Sequence, residues 1–194
     1  MSMILGLAMV NDKAIVKILS NPPLVWKVLG GISPEPAPQN DGSWFSKLFG
    51  KRKPLSDISE EIDRPIEEID LDKAWHGIHY LLTQTDWEGD SPLNFLLLGG
   101  VEIGDVDVGY GPARAITSGG VREIHSALST IDELTLKGRF NPAEMIKLSI
   151  YPDIWDRDPA DDDTFGYCSE YFVDLKAFVK RAADKRLGLV IYLS

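Results

Sequence analysis

Two periods run through the apolar and polar positions of this chain, and most of its elements can be read from them. Met3 to Met9 is a short, unbroken apolar run closed by Asn11-Asp12, which predicts a buried strand followed by a capped helix. Ala14, Ile15, Ile18 and Leu19 then recur at helical spacing until Asn21-Pro22-Pro23, after which Leu24 to Leu29 predicts a second short helix. From Leu71 to Leu82 the period is again helical, with Leu71, Trp75, Ile78 and Leu82 on one face and Trp75 as its anchor. The run "LNFLLLGG" predicts a buried helix ending on Gly99-Gly100, and "VEIGDVDVGYGP" a short edge strand or extended loop. Ala113 to Thr117 predicts a strand that leads into a helix from Gly119 to about Thr130. A short helix opens at Thr130-Glu133, and a strand is expected around Met145 to Ile150, stopped by Pro152. The chain closes with an amphipathic helix from about Thr164 to Lys185, burying Phe165, Cys168, Phe172, Leu175 and Val179, and with the strand "LVIYL". Four or five strands interleave with five to seven helices, so the expected class is α+β with a mixed sheet.

The period is lost between about residues 32 and 61. "GISPEPAPQNDGS" is rich in proline and polar residues, and reads as a flexible linker or insertion in one domain spanning 1–194. Within it, Trp44, Phe45, Leu48 and Phe49 share one side of a helical turn, beside Lys47, Lys51, Arg52 and Lys53. An acidic run follows: eight carboxylates from Asp57 to Asp72 face one arginine. The preferred reading folds the aromatic turn back onto the domain and solvates the acids; recruitment to a membrane surface or a partner through Trp44–Lys53 is the secondary one.

Charge and cysteine content narrow the function classes. A chain of 194 residues with net charge −10 repels nucleic-acid phosphate and anionic membranes at long range, so nucleic acid is not expected as a partner. One cysteine, Cys168, excludes an intramolecular disulfide and a cysteine-rich zinc site. No apolar run approaches the ~20 residues that span a bilayer, and the expected setting is cytoplasmic.

"DLDKAWHGIHYLLT", "GYGPARAIT", "SIYPDIW" and "LVIYLS" stand here in an order that resembles the YfbM-like family of bacterial proteins of unknown function. The resemblance covers Met1 to Ser194. It implies one α+β domain of the bacterial cytosol, and it implies no activity and no catalytic residues.

The chemistry-bearing stretch is "GYGPARAITSGG", Gly109 to Gly120. A phosphate-binding reading has glycines that let backbone approach, Arg114 as a bidentate clamp, and amides opening a helix near Gly119-Gly120. Yet neither standard phosphate motif is present, and Pro112 removes one amide from the cradle. The preferred reading is a turn: proline and glycines set the backbone, Thr117 or Ser118 caps the helix, and Arg114 pairs with Asp105, Asp107 or Glu123. His79 and His125 fall on inward helix faces, where they could meet across helices, and His76 lies at a border; hydrogen-bonded structural histidines are preferred over a shared ligand site. Their spacing lacks H-E-x-x-H, and the loop "DIWDRDPADDD" lacks the glycine and closing glutamate of a calcium site, so no metal and no cofactor is expected. The leading expectation is a non-catalytic binding or protein-interaction domain. The alternative is a protein or enzyme binding a small anionic, phosphorylated or nucleotide-like molecule through Tyr110, Arg114, His76 and His79.

Overall fold

The computed structural model describes residues 2–30 and 64–194. Five strands form one sheet in the order β2-β1-β5-β4-β3: β1 Leu5–Val10, β2 Glu68–Asp70, β3 Val101–Asp107, β4 Pro112–Ile116 and β5 Gly188–Leu193. The expected α+β class holds, but every pairing is antiparallel, so the sheet is not mixed. The central strands read as unbroken apolar runs because both their faces are covered. Leu5, Leu7 and Met9 of β1 and Leu189 and Ile191 of β5 enter one core, while Ala8, Val10 and Val190 enter the other.

The smaller core is closed by α1 Asp12–Ser20, a 3-10 turn Pro22–Leu24 and α2 Val25–Val28. Asn11 caps α1 by accepting from the Ala14 amide at 2.8 Å, as its position before the apolar period predicts. The larger core lies under α3 Trp75–Thr83, α4 Ser118–Ser129, α5 Glu133–Arg139, α6 Pro142–Lys147 and α7 Thr164–Asp184. Gly77 is where α3, α7 and the loop after α6 meet most closely. A Cβ there would come within 2.7 Å of both Cys168 Sγ and the Trp155 ring, so no larger residue fits without displacing one of them.

Three expectations are corrected. Residues Met145 to Ile150 are not a strand: Pro142 sits in the first turn, and Asn141 accepts from the Glu144 amide at 3.2 Å, which opens α6. The run "LNFLLLGG" folds into successive hydrogen-bonded turns rather than a regular helix, with the Leu98 amide on Asn94 O at 2.9 Å and the Gly99 amide on Phe95 O at 3.3 Å. The end of the acidic run contributes an edge strand, β2, and Glu67 just before it forms an ion pair with Arg181 of α7. The linker reading at about 32–61 and the aromatic-basic segment Trp44–Lys53 lie outside the described residues. Among the described residues no helix is long and apolar enough to cross a membrane.

Candidate functional site

The turn between β3 and β4 is built by Asp107. Its Oδ1 accepts from the Gly109 amide at 2.9 Å and the Gly111 amide at 3.0 Å, which holds its carboxyl below the usual carboxylate range. Both glycines have positive φ, +150° and +105°, and a Cβ on Gly109 would stand 2.8 Å from the Leu193 carbonyl. The Tyr110 amide donates to that same carbonyl at 3.0 Å, which stitches the turn to the end of β5.

Arg114 does not meet the carboxylate expected of it. Its guanidinium donates to three backbone carbonyls of the 91–98 turns and their exit: Gly99 O at 2.8 Å, Phe95 O at 3.3 Å, and Leu96 O. Asp105, Asp107 and Glu123 form no ion pair with it; Glu102 faces it across the β3–β4 ladder. Burial pushes the guanidinium down to about 10, against the pull of Glu102, so it stays charged at neutral pH. The fork thus clamps the C-terminal end of these turns, where carbonyls lack amide partners further along the chain. Replacing Arg114 with glutamine takes this donor from the Leu96 and Gly99 carbonyls, while Phe95 O keeps the Gly99 amide, and is expected to cost about 1–3 kcal/mol. Urea unfolding checks this, and a parent-like midpoint would show that the clamp holds nothing.

The opening of α4 is likewise occupied from within. Thr117 accepts from the Gly120 amide, while the Ser118 amide and hydroxyl donate to Asp12 Oδ1 at 2.8 Å and Oδ2 at 2.7 Å. A carboxylate of the chain itself therefore stands where a phosphate would bind the helix dipole.

Beside the turn lies a groove of about 420 Å³, with Tyr110, Pro112 and Arg114 on one side and Trp87, Leu97 and Leu98 on the other. Trp87 and Leu98 are each 53% exposed and Tyr110 44% exposed, so three of the large apolar side chains left in water converge on one concavity. Tyr110 and Arg114 of this groove belong to the glycine-rich stretch singled out in the sequence, whereas Trp87 and Leu98 carry no motif there. Trp87 could have been suspected, since a tryptophan in the polar loop "TQTDWEGD" has no periodic partner to pack against.

His76 and His79 do not line this groove; they are buried behind it. The His76 ring lies 4.8 Å from Trp75 in a parallel stack and 4.7 Å from Trp87. Its Nδ1 accepts from the Tyr151 amide at 3.0 Å, so Nε2 carries the proton and donates to the Asp86 carbonyl at 2.9 Å. One neutral imidazole thereby ties the loop bearing Trp87 to the loop after α6, and burial lowers its pKa despite the opposing pull of Asp86. His79, fully buried, has no hydrogen-bond partner of good geometry at either nitrogen among the described residues. Burial, then the adjacent His76 ring, pushes it down to about 4; the Glu88 backbone and the Asp86 charge oppose this and Arg114 adds to it. His125 is half-buried on α4 and faces Asp184 of α7, so the two histidines expected to meet across helices have different neighbours. Cys168 is buried, its thiol pushed up to about 12, which removes thiolate chemistry at neutral pH. No group of three or more His, Cys, Asp or Glu poised for a metal occurs among the described residues.

The crystal structure of YfbM from Escherichia coli, a protein of unknown function, is similar to this chain at a TM-score of 0.66 and 15% identity, over 98% of this chain and 99% of that one. At that identity the likeness bears on the fold alone. No curated protein matches the sequence. The family model described as "Domain of unknown function (DUF1877)" matches residues 1–192, and the chain, with its antiparallel sheet and its Asp107-bound glycine turn, belongs to that family.

Proposed function

We propose that this protein is a non-catalytic binding domain that captures an apolar segment of a partner protein in the groove between Trp87, Leu98 and Tyr110. The observation that carries this reading is the convergence of those three exposed side chains on one concavity, since contiguous apolar surface rimmed by polar residues marks interaction sites. Tryptophan and tyrosine are also the side chains that most often anchor interfaces. The alternative, a small anionic ligand held by Tyr110, Arg114, His76 and His79, has less support. The Gly109 and Gly111 amides serve Asp107, the Arg114 fork serves three carbonyls, and both histidines are held away from solvent. The resemblance read in the sequence supports a bacterial cytosolic setting. The pairing of β1 with β5 supports one domain, with residues from about 32 to 61 as an insertion.

Selection of a displayed peptide library on the folded protein tests this. The expected result is a set of peptides with an apolar anchor, whose affinity falls about tenfold or more in Trp87→Ala and Leu98→Glu while the melting curves stay close to the parent's. Peptides indifferent to both substitutions would place the interaction surface elsewhere. In the same assay format, phosphate, nucleotides and ADP-ribose are expected to leave the melting temperature unchanged. Stabilisation by any of them that is lost in Arg114→Gln would favour the anion reading instead.

A further inference from the structure

A second concavity, of about 530 Å³, lies away from the groove, between the loop that leads into α3 and the loop that follows α6. No residue that lines it lines the groove. One pole is Asp72, a non-glycine residue held at φ +43°. Its Oδ2 accepts from the Tyr167 hydroxyl at 2.8 Å, and that hydroxyl in turn accepts from the Lys73 amide at 3.2 Å. The phenol is committed to this role: burial first, then the bond to Asp72, raises its pKa. The Asp72 carboxylate is thus fixed in orientation, with Oδ1 bonded to no described residue.

The other pole is Lys73, which lines the same concavity and forms no ion pair with any described residue, whereas Arg157 is taken up by Asp162. The same lining carries apolar surface from Tyr151, Pro152 and Ile154. Each simpler ligand class fails on charge. An anion would meet Asp72, Asp153 and Asp162 on the lining, and a plain cation would leave Lys73 beside it uncompensated. A molecule with both charges and an apolar body matches Asp72, Lys73 and the apolar part of the lining, and the volume falls in the range of small-molecule sites.

We propose that this concavity binds a small zwitterion, an α-amino acid with an apolar side chain. Its ammonium is held by Asp72, its carboxylate by Lys73, and its side chain lies against Pro152 and Ile154. The site stands independently of the groove and of any partner captured there.

The test is an amide-detected NMR titration of the full chain with three probes that share one hydrocarbon body: L-leucine, 3-methylbutylamine, which lacks the carboxylate, and 4-methylpentanoate, which lacks the ammonium. Leucine is expected to give saturable shifts at Asp72, Lys73 and Asp153, with each truncated probe binding about tenfold more weakly or worse, as befits loss of a charge-assisted contact. Asp72→Asn keeps an acceptor for Tyr167 and tolerates the positive φ, and it should weaken leucine by a similar factor. Lys73→Met should weaken leucine while leaving the amine unchanged or tighter, a split that general loosening of the loop would not produce. Absence of saturable leucine binding, equal affinity for leucine and the amine, or leucine binding indifferent to both variants would each overturn the assignment.

Discussion

Trp75→Ala is expected to lower the free energy of unfolding by about 3–5 kcal/mol, the largest loss from any single truncation considered for this chain. Trp75 is fully buried, and its ring is the centre of a layer rather than its edge. His76 stacks on it at 4.8 Å, Tyr151 lies at 5.8 Å and Trp87 at 6.1 Å, while the indole Nε1 donates to the Met3 carbonyl at 3.1 Å. Truncation therefore opens a cavity, strands a carbonyl and removes the surface against which His76 is held. For a chain of this size the melting temperature should fall by roughly 6–20 °C. Trp75→Phe separates the contributions, because it keeps a ring in the layer and loses only the bond to Met3 and part of the volume; its loss should be clearly smaller. A Trp75→Ala protein that unfolds at the parent's urea midpoint would show that the layer carries no stability.

Trp75 was legible in the sequence because its face neighbours are apolar at helical spacing, and the same holds for α7 and for the two-sided strands β1 and β5. Where local chemistry decides the backbone, the reading also held: Gly109, Pro112 and Thr117 do set a turn and a cap. Two of the failures depended on distant partners, and one on a local signal passed over. β2 has three residues and carries Glu68 and Asp70, so its only reason to be a strand is the waiting edge of β1, which leaves no trace in the acidic run itself. Met145 to Ile150 has apolar residues enough for a strand, yet Asn141-Pro142 just before it is a helix opening, and the local signal won. Arg114 was matched to carboxylates because those can be seen in a sequence, whereas the carbonyls of Phe95, Leu96 and Gly99 are backbone and belong to every residue alike. The groove combines side chains from the 84–98 segment, the β3–β4 turn and β5, so its existence rests on the sheet order.

Acid is expected to destabilise this protein through its buried histidines before its carboxylates titrate. His79 has a folded pKa of about 4 against an ordinary 6.5, so between those values the unfolded chain binds the extra proton. Its contribution is thus fully present above pH 6.5 and is lost as pH falls toward 4, a total of about 3 kcal/mol. His76 acts in the same direction, since protonation places a hydrogen on Nδ1 where the Tyr151 amide already donates, and the strap between the two loops opens. The charges facing this pair are Asp86 from the following loop and Arg114 from β4; the cation adds to the penalty at His79, and the Glu88 backbone and the Asp86 carboxylate only partly offset it. The carboxylates with shifted values, Glu67, Asp107, Asp132 and Asp184, all move downward from 4.5 or 3.8, so their losses begin only at the acid end of this window. Unfolding free energies from urea titrations at pH 7.5 and pH 5 should therefore differ by about 2 kcal/mol or more in the parent. His79→Leu fills the same apolar space without a titratable nitrogen, and should lose most of that difference while keeping its fold at pH 7.5. If the leucine variant showed the parent's full pH slope, His79 would not be the source of the acid sensitivity.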